Sequence, residues 1–209
     1  MAFTDRTEAG QQLGAELADR GVTGDIVLAI PRGGLPLGRA VADALDLPLD
    51  IVVAQKMGAP HNEEYAIGAV ASDGSVWRNE SAINSLDVSE SYIEEQREET
   101  AAAAREKAER YRSEEGPPEL SGKTVIIVDD GIATGATARA CLERVENADA
   151  SQSVLAVPVG SPRSLGDLEE NADEIVCLTR PTNFRAVGQF YDQFEQVKDE
   201  EAMTYLDRS

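Results

Sequence analysis

Five short apolar runs, "DIVLAI" (25–30), "PLDIVVAQ" (48–55), "KTVIIV" (123–128), "SVLAVPVG" (153–160) and "EIVCLT" (174–179), are separated by stretches with helical periodicity. Strands buried on both faces read as continuous apolar runs. Their alternation with helices predicts an α/β fold with a mainly parallel, twisted sheet flanked by helices. "DRTEAGQQLGAELADR" (5–20) places Ala9, Leu13 and Leu17 four apart and stops at Gly21, an amphipathic helix with a glycine C-cap. Further helices are expected over 35–46, about 135–147, and from Pro162. Residues 89–112 read as one long helix without Gly or Pro. Ser91 and Glu94 offer it a capping box, and an apolar stripe runs through Tyr92, Ala103 and Tyr111. "IGAVASDGSVWRNE" reads as a hairpin around Asp73-Gly74, and "KMGAPHNEEYA" before it as a polar, turn-rich segment. No repeat or low-complexity linker interrupts the 209 residues, a length that suits a single domain.

Charge narrows the partners. The chain has 39 acidic and 19 basic residues, a formal net charge of −20. Only Lys56, Lys107, Lys123 and Lys198 are lysines; the other fifteen bases are arginines. Such a surface repels nucleic-acid phosphates and anionic lipid, so neither nucleic acid nor membrane is an expected partner. Acid-rich, lysine-poor composition also fits a halophilic protein, in which concentrated salt screens the self-repulsion. Cys141 and Cys177 form no CxxC and read as reduced thiols. With no membrane-length apolar run and no signal-peptide core in "MAFTDRTEAG", the expected location is cytoplasmic.

Three strand ends carry the candidate chemistry, because ligands of parallel α/β sheets bind at the carboxyl ends of strands. In "VIIVDDGIATGAT" (125–137) small residues let backbone N–H groups close around a phosphate. Thr134 and Thr137 add hydroxyls, and the following helix directs its positive end there. The stretch is neither a Walker A loop nor a GxGxxG fingerprint. Asp129 and Asp130 suit a pair of vicinal hydroxyls, whereas a dianionic phosphate would avoid them, so a ribose 5-phosphate matches the whole stretch. The bland alternative is an acidic strand end with a Thr N-cap. In "IPRGG", Gly33 and Gly34 permit close approach of N–H groups to anionic oxygens and Arg32 can fork onto an anion, although alone the stretch reads as an ordinary Pro-Gly turn. Lys56 follows the second apolar run, where a plain surface lysine is the alternative reading.

The run of four apolar residues, two acids and a T-G-x-T loop resembles the ribose-phosphate signature of type I phosphoribosyltransferases. "PRGGLPLG", "QKMGAP" and the tail resemble a branch of that family without a settled substrate. The resemblance spans about Gly24 to Tyr191. It implies a core over about 24–180 and a small hood from about 1–23 and 181–209, within one domain of residues 1–209. It also implies Mg2+-dependent transfer of ribose 5-phosphate from phosphoribosyl pyrophosphate (PRPP) to a nucleobase-like acceptor, with release of pyrophosphate. By this resemblance Asp129 and Asp130 bind the ribose hydroxyls and reach the metal through water or those hydroxyls. Ala133, Thr134, Gly135, Ala136 and Thr137 hold the 5-phosphate, and Arg32, Gly33, Gly34 and Lys56 take the pyrophosphate. Asp129, Asp130 and Arg32 form the expected catalytic set. The segment from Ala59 to about Ala71 takes the place of a mobile loop. In it His61 is an acid, a base or a solvated polar residue, and Glu64 and Tyr65 are further contacts. Phe184, Phe190 and Tyr191 either stack on a flat base or form a small core anchoring the tail. A homodimer is the expected assembly. Transferases for 6-oxopurines carry an Asp where this chain has Ala133, which disfavours that acceptor class. A non-catalytic PRPP-binding regulator of nucleotide metabolism is the competing function, though the chain lacks an obvious basic cluster.

Overall fold

The computed structural model describes residues 3–112 and 116–207. Its main sheet has five parallel strands: β1 (Ile26–Ala29), β2 (Leu49–Ile51), β6 (Thr124–Val128), β7 (Gln152–Val159) and β8 (Glu174–Thr179), in the order β2-β1-β6-β7-β8. The register runs from Ile26 opposite Val125 to Ala29 opposite Val128. All four β1 residues are buried, as the continuous apolar run requires of a strand covered on both faces. β1 and β6 are neighbours although β2 follows β1 on the other side. The connections therefore diverge between them, which is the topological switch point where such sheets bind ligands.

One face is covered by α1 (Arg6–Asp19) and α2 (Gly34–Leu45), where Ala9, Leu13, Leu17, Leu37 and Val41 pack with Val27, Ile126 and Val128. Asp5 caps α1 by accepting from the Glu8 amide at 2.8 Å. The other face is covered by α5 (Ala136–Asn147) and a smaller antiparallel sheet. That sheet comprises β3 (Ala54–Ala59), β4 (Asn62–Ala71) and β5 (Val76–Arg78). The helix α6 (Pro162–Leu168) begins with its proline, as expected.

Four local expectations are corrected. The run 48–55 is two strands in different sheets: the chain leaves the parallel sheet after Ile51 and enters the antiparallel one at Ala54. The segment 56–66 is a β-hairpin, with Ala59 opposite Asn62 and His61 in the left-handed region at its tip (φ 64°). Helix α4 (Glu90–Tyr111) is capped by Ser89, whose hydroxyl accepts from the Tyr92 amide at 3.3 Å, so the expected Ser91–Glu94 box starts too late. Its buried stripe is Ile93, Ala101, Ala104, Ala108 and Tyr111, while Ala103 faces solvent. The short helix α3 (Glu80–Ser85), the 3-10 turn Val187–Phe190 and helix α7 (Asp199–Thr204) had no sequence counterpart. The Asp73-Gly74 turn is present, with Asp73 accepting from the Ser75 amide at 3.0 Å. Cys141 and Cys177 are both free thiols.

Candidate active site

The loops after β1 and β6 meet at the switch point. Ile30 donates its amide to the Val128 carbonyl at 2.9 Å and accepts from the Gly34 amide at 2.9 Å, which fixes "PRGG" against the end of β6. The Pro31–Arg32 peptide is cis. Gly33 lies so close to Asp130 that a Cβ on it would sit 2.1 Å from Oδ2. One on Gly34 would sit 2.6 Å from the Val128 carbonyl oxygen. The two motifs thus share one surface, although about a hundred residues separate them in sequence.

Asp129 and Asp130 follow β6 directly, and the strand fixes their positions. Asp129 Oδ1 accepts from the Asp130 amide at 2.8 Å. Burial and the adjacent Asp130 charge hold the Asp129 carboxyl well above the usual carboxylate range. Asp130 is also raised by burial, an effect opposed by Arg6. Arg6 Nε and Nη2 both reach Asp130 Oδ2 at 2.9 Å, with little of either side chain exposed. Arg6 is itself fixed by the Phe194 ring 3.9 Å beneath its guanidinium and by the Glu195 carbonyl at 2.8 Å. The Tyr191 hydroxyl donates to the Asp130 carbonyl at 2.6 Å. Segments from both chain ends therefore clamp this acid.

The loop from Gly131 to Gly135 is braced from β7 and α6. Ile132 donates to Val159 and accepts from Ser161, each at 2.9 Å, and Ser164 Oγ donates to the Ala133 carbonyl at 2.6 Å. Gly135 is the left-handed N-cap of α5 (φ 78°) and no side chain caps it. The amides of Ala136 and Thr137 therefore open the helix without intrahelical acceptors, a ready anion site. Ala133 and Thr134 are exposed, and Thr137 is half-buried. Ala133 and Thr134 line a cleft of about 730 Å³ together with Tyr65, Trp77, Asn79 and Arg163.

The remaining predicted residues divide. Arg32 stands at the switch point with Gly33 and Gly34, its Nη1 3.4 Å from Asp199 Oδ1. Lys56 lies inside β3 opposite Ala69, in the antiparallel sheet, not at an end of a parallel strand. Tyr65 reaches the cleft beside Thr134, while His61 stays exposed at the hairpin tip. Glu64 lies within β4, and its side chain is outside the described set. Tyr191 is buried between Phe3 (5.5 Å) and Phe194 (4.9 Å), so it anchors the tail and offers no face to a base. Phe184 and Phe190 stack on each other at 5.6 Å, both half-buried, with the intervening Val187 against Gly131.

Sequence reasoning missed Arg6, Lys107 and Asp199. Lys107 Nζ donates to the Pro31 carbonyl at 2.9 Å. Burial and the Arg32 charge lower its pKa, while Asp199 and Asp129 oppose that shift. One signal for it existed: Thr100, Ala104, Lys107 and Tyr111 share a 4-3-4 spacing, which places a lysine on the buried stripe of α4. Arg6 sits at a solvent-like position of an amphipathic helix and Asp199 in a helix with no sequence counterpart, so neither gave a signal.

Among the described residues, no cluster of three or more His, Cys, Asp or Glu side chains is arranged to hold a metal ion, and no helix is long and apolar enough to cross a membrane.

The profile of the family described as "Phosphoribosyl transferase domain" matches residues 7–195. The Mycobacterium tuberculosis H37Rv protein named "Putative phosphoribosyl transferase Rv0571c" is 38% identical over 207 residues, which is 99% of this chain and 47% of that protein. The chain thus spans about half the length of the curated relatives it matches. The crystal structure of TT1426 from Thermus thermophilus superposes with a TM-score of 0.84 at 38% identity, covering 99% of this chain and 98% of that one. AQ2163 from Aquifex aeolicus shares the fold at a TM-score of 0.51 and 17% identity, over 83% and 73% of the two chains.

Proposed function

Because the chain belongs to the phosphoribosyl transferase domain family, we propose that it transfers the ribose 5-phosphate group of PRPP to a nitrogenous base and releases pyrophosphate. The observation that carries this reading is the meeting of two loops at the β1/β6 switch point, where a Cβ on Gly33 would strike the Asp130 carboxylate. One ligand with vicinal hydroxyls between two anionic ends spans that surface.

In this proposal the 5-phosphate lies on the amides of Ala136 and Thr137 at the α5 N-terminus, with the Thr134 and Thr137 hydroxyls beside it. Asp129 and Asp130 accept hydrogen bonds from the ribose hydroxyls. The elevated Asp129 pKa suits this, because a buried carboxyl beside a second one gains most from such donors. Arg32 and the Gly33 amide face the pyrophosphate and stabilise the charge that grows on it as the C1–O bond breaks, while the Gly34 amide, already donated to the Ile30 carbonyl, holds the shape of the loop. The acceptor's ring nitrogen forms the new bond to C1 through an oxocarbenium-like transition state. Asp129 and Asp130 act through hydroxyls, not as nucleophiles.

Magnesium fits this donor set. Two carboxylates are too few to cage the ion alone, but Mg2+ typically binds one or two carboxylates plus substrate oxygens. When bound, it would neutralise pyrophosphate charge and polarise the bond to the leaving group.

The acceptor lies under the hood in this reading. The Phe184–Phe190 pair flanks the loop through Val187, and Tyr191 keeps an anchoring role. Ala133 presents no carboxylate, which weighs against 6-oxopurines. In this proposal residues 1–209 are one transferase domain with the core over about 24–180 and the hood from about 1–23 and 181–209, α1 of the first hood segment also packing on the sheet face, and the proposed assembly is a homodimer. The competing reading, a PRPP-binding regulator, has the same site but no turnover. A panel of nucleobases with PRPP and Mg2+, followed by pyrophosphate release, separates the two. Base-dependent release supports the transferase, and PRPP binding without release for any base supports the regulator.

A further inference from the structure

Asp199 opens α7, a short helix anchored by Val197 and Ala202 against Leu35, Val53, Ala104 and Tyr111. Its carboxylate is met from three sides. Arg32 Nη1 is 3.4 Å from Oδ1, Arg110 Nη1 is 3.1 Å from Oδ2, and the Tyr111 hydroxyl donates to Oδ1. Lys107 adds a third positive charge, and its ammonium is fixed on the Pro31 carbonyl of the same loop. Asp199 is the carboxylate these groups share. Arg110 also reaches Glu106 at 3.3 Å, and Asp129 lies within the field of Lys107. In a chain of net charge −20, three cations surround one carboxylate beside a strand-end loop, more than holding a single surface helix requires. They match an anion that carries more charge than one carboxylate.

We infer that Lys107, Arg110 and Tyr111 of α4 complete the pyrophosphate subsite opposite Arg32, and that the Asp199 carboxylate occupies this subsite until a diphosphate displaces it. This rests on the proposed transferase reading and adds the wall contributed by α4 together with an internal competitor. About a third of each of the Arg32 and Asp199 side chains is exposed, so the carboxylate can leave without moving the helix. Val197 and Ala202 stay packed and keep Asp199 ready to return. The device sets a threshold: a monophosphate displaces the carboxylate poorly, whereas a diphosphate satisfies all three cations.

The test is calorimetric titration of the full chain with inorganic pyrophosphate and Mg2+, and separately with PRPP and Mg2+, without acceptor, together with thermal unfolding, for the wild type, Asp199→Asn, Lys107→Met and Lys107→Arg. Asp199→Asn keeps an acceptor for Tyr111 and removes the charge. It should bind pyrophosphate about tenfold more tightly, the factor expected if the carboxylate fills the subsite about nine-tenths of the time. Lys107→Met should weaken binding by at least about tenfold, and Lys107→Arg should recover most of it. A clamp with a purely structural role predicts unchanged or weaker binding in Asp199→Asn and a lower Tm; that result overturns the inference. Wild-type binding with no change in Asp199→Asn overturns it while the transferase reading stands. Failure of the wild type and Asp199→Asn to bind either pyrophosphate or PRPP overturns both.

Discussion

Replacing Gly33 by alanine tests the contact that joins the two motifs. Gly33 has ordinary helical angles (φ −60°, ψ −35°), so alanine meets no backbone strain there. The three nearest atoms to its new methyl all belong to one carboxyl: Asp130 Oδ2 at 2.1 Å, Cγ at 2.7 Å and Oδ1 at 3.4 Å. The carboxylate must rotate away and give up its two contacts with Arg6. Loss of charged hydrogen bonds of this kind costs about 1.5–3 kcal/mol. For a chain of this size that lowers Tm by roughly 3–12 °C. In an Asp130→Ala background the obstacle is gone, and Gly33→Ala should be neutral or stabilising by about 0.4–1 kcal/mol through the unfolded chain. Thermal unfolding of the four proteins in this double-mutant cycle is the assay, and the predicted coupling is the difference between those two effects. Gly34→Ala is the contrast. Its methyl would meet the Val128 backbone oxygen at 2.6 Å, so it should destabilise by about 1–3 kcal/mol in both backgrounds. An equal effect of Gly33→Ala with and without the Asp130 carboxylate would refute the proposed contact.

Asp129→Asn should raise Tm at neutral pH. A carboxyl whose folded pKa is raised favours the fold only while protonated, so its contribution is lost as pH rises through the folded value. The advantage of Asn should therefore vanish in acid, and an advantage that grows on acidification would contradict the assignment. Tyr191→Phe removes the bond to the Asp130 carbonyl and should cost about 1 kcal/mol in urea unfolding without changing which base is accepted; altered acceptor choice would return Tyr191 to the base site. If the acidic, lysine-poor surface reflects adaptation to concentrated salt, circular dichroism should show unfolding on transfer from molar salt to dilute buffer. Salt-independent stability would remove that reading.

The parallel sheet was legible because its central strands carry contiguous apolar runs, as in "VIIV" and "IVLA", whereas the edge strand β2 is only Leu-Asp-Ile. The β3–β4 hairpin was not. Gly58, Pro60 and His61 read as loop, and the sheet's apolar residues Met57, Ala59, Ile67 and Val70 are covered by Ile83, Ile93 and Ala101 on later helices. The candidate site divides the same way. The loops "PRGG" and "DDGIATGAT" carry their chemistry in consecutive residues, so spacing alone displayed it. Arg6 and Asp130 are 124 residues apart, and Arg32 and Asp199 are 167 apart. Ion pairs of that kind exist only once the fold brings both chain ends over the switch point. Lys107 sits between these cases, visible as a cation on an apolar stripe but without a partner until "PRGG" is placed beside it.

In the proposed reaction the β1/β6 switch point binds PRPP, passes its ribose 5-phosphate group to a base and releases pyrophosphate. The most direct measurement is pyrophosphate release from PRPP with Mg2+ across a panel of nucleobases, at low and molar salt, with Asp130→Asn run in parallel. Release should depend on a particular base and fall sharply in Asp130→Asn. Base-dependent release at the wild-type rate in Asp130→Asn, or neither PRPP binding nor release for any base, would contradict it.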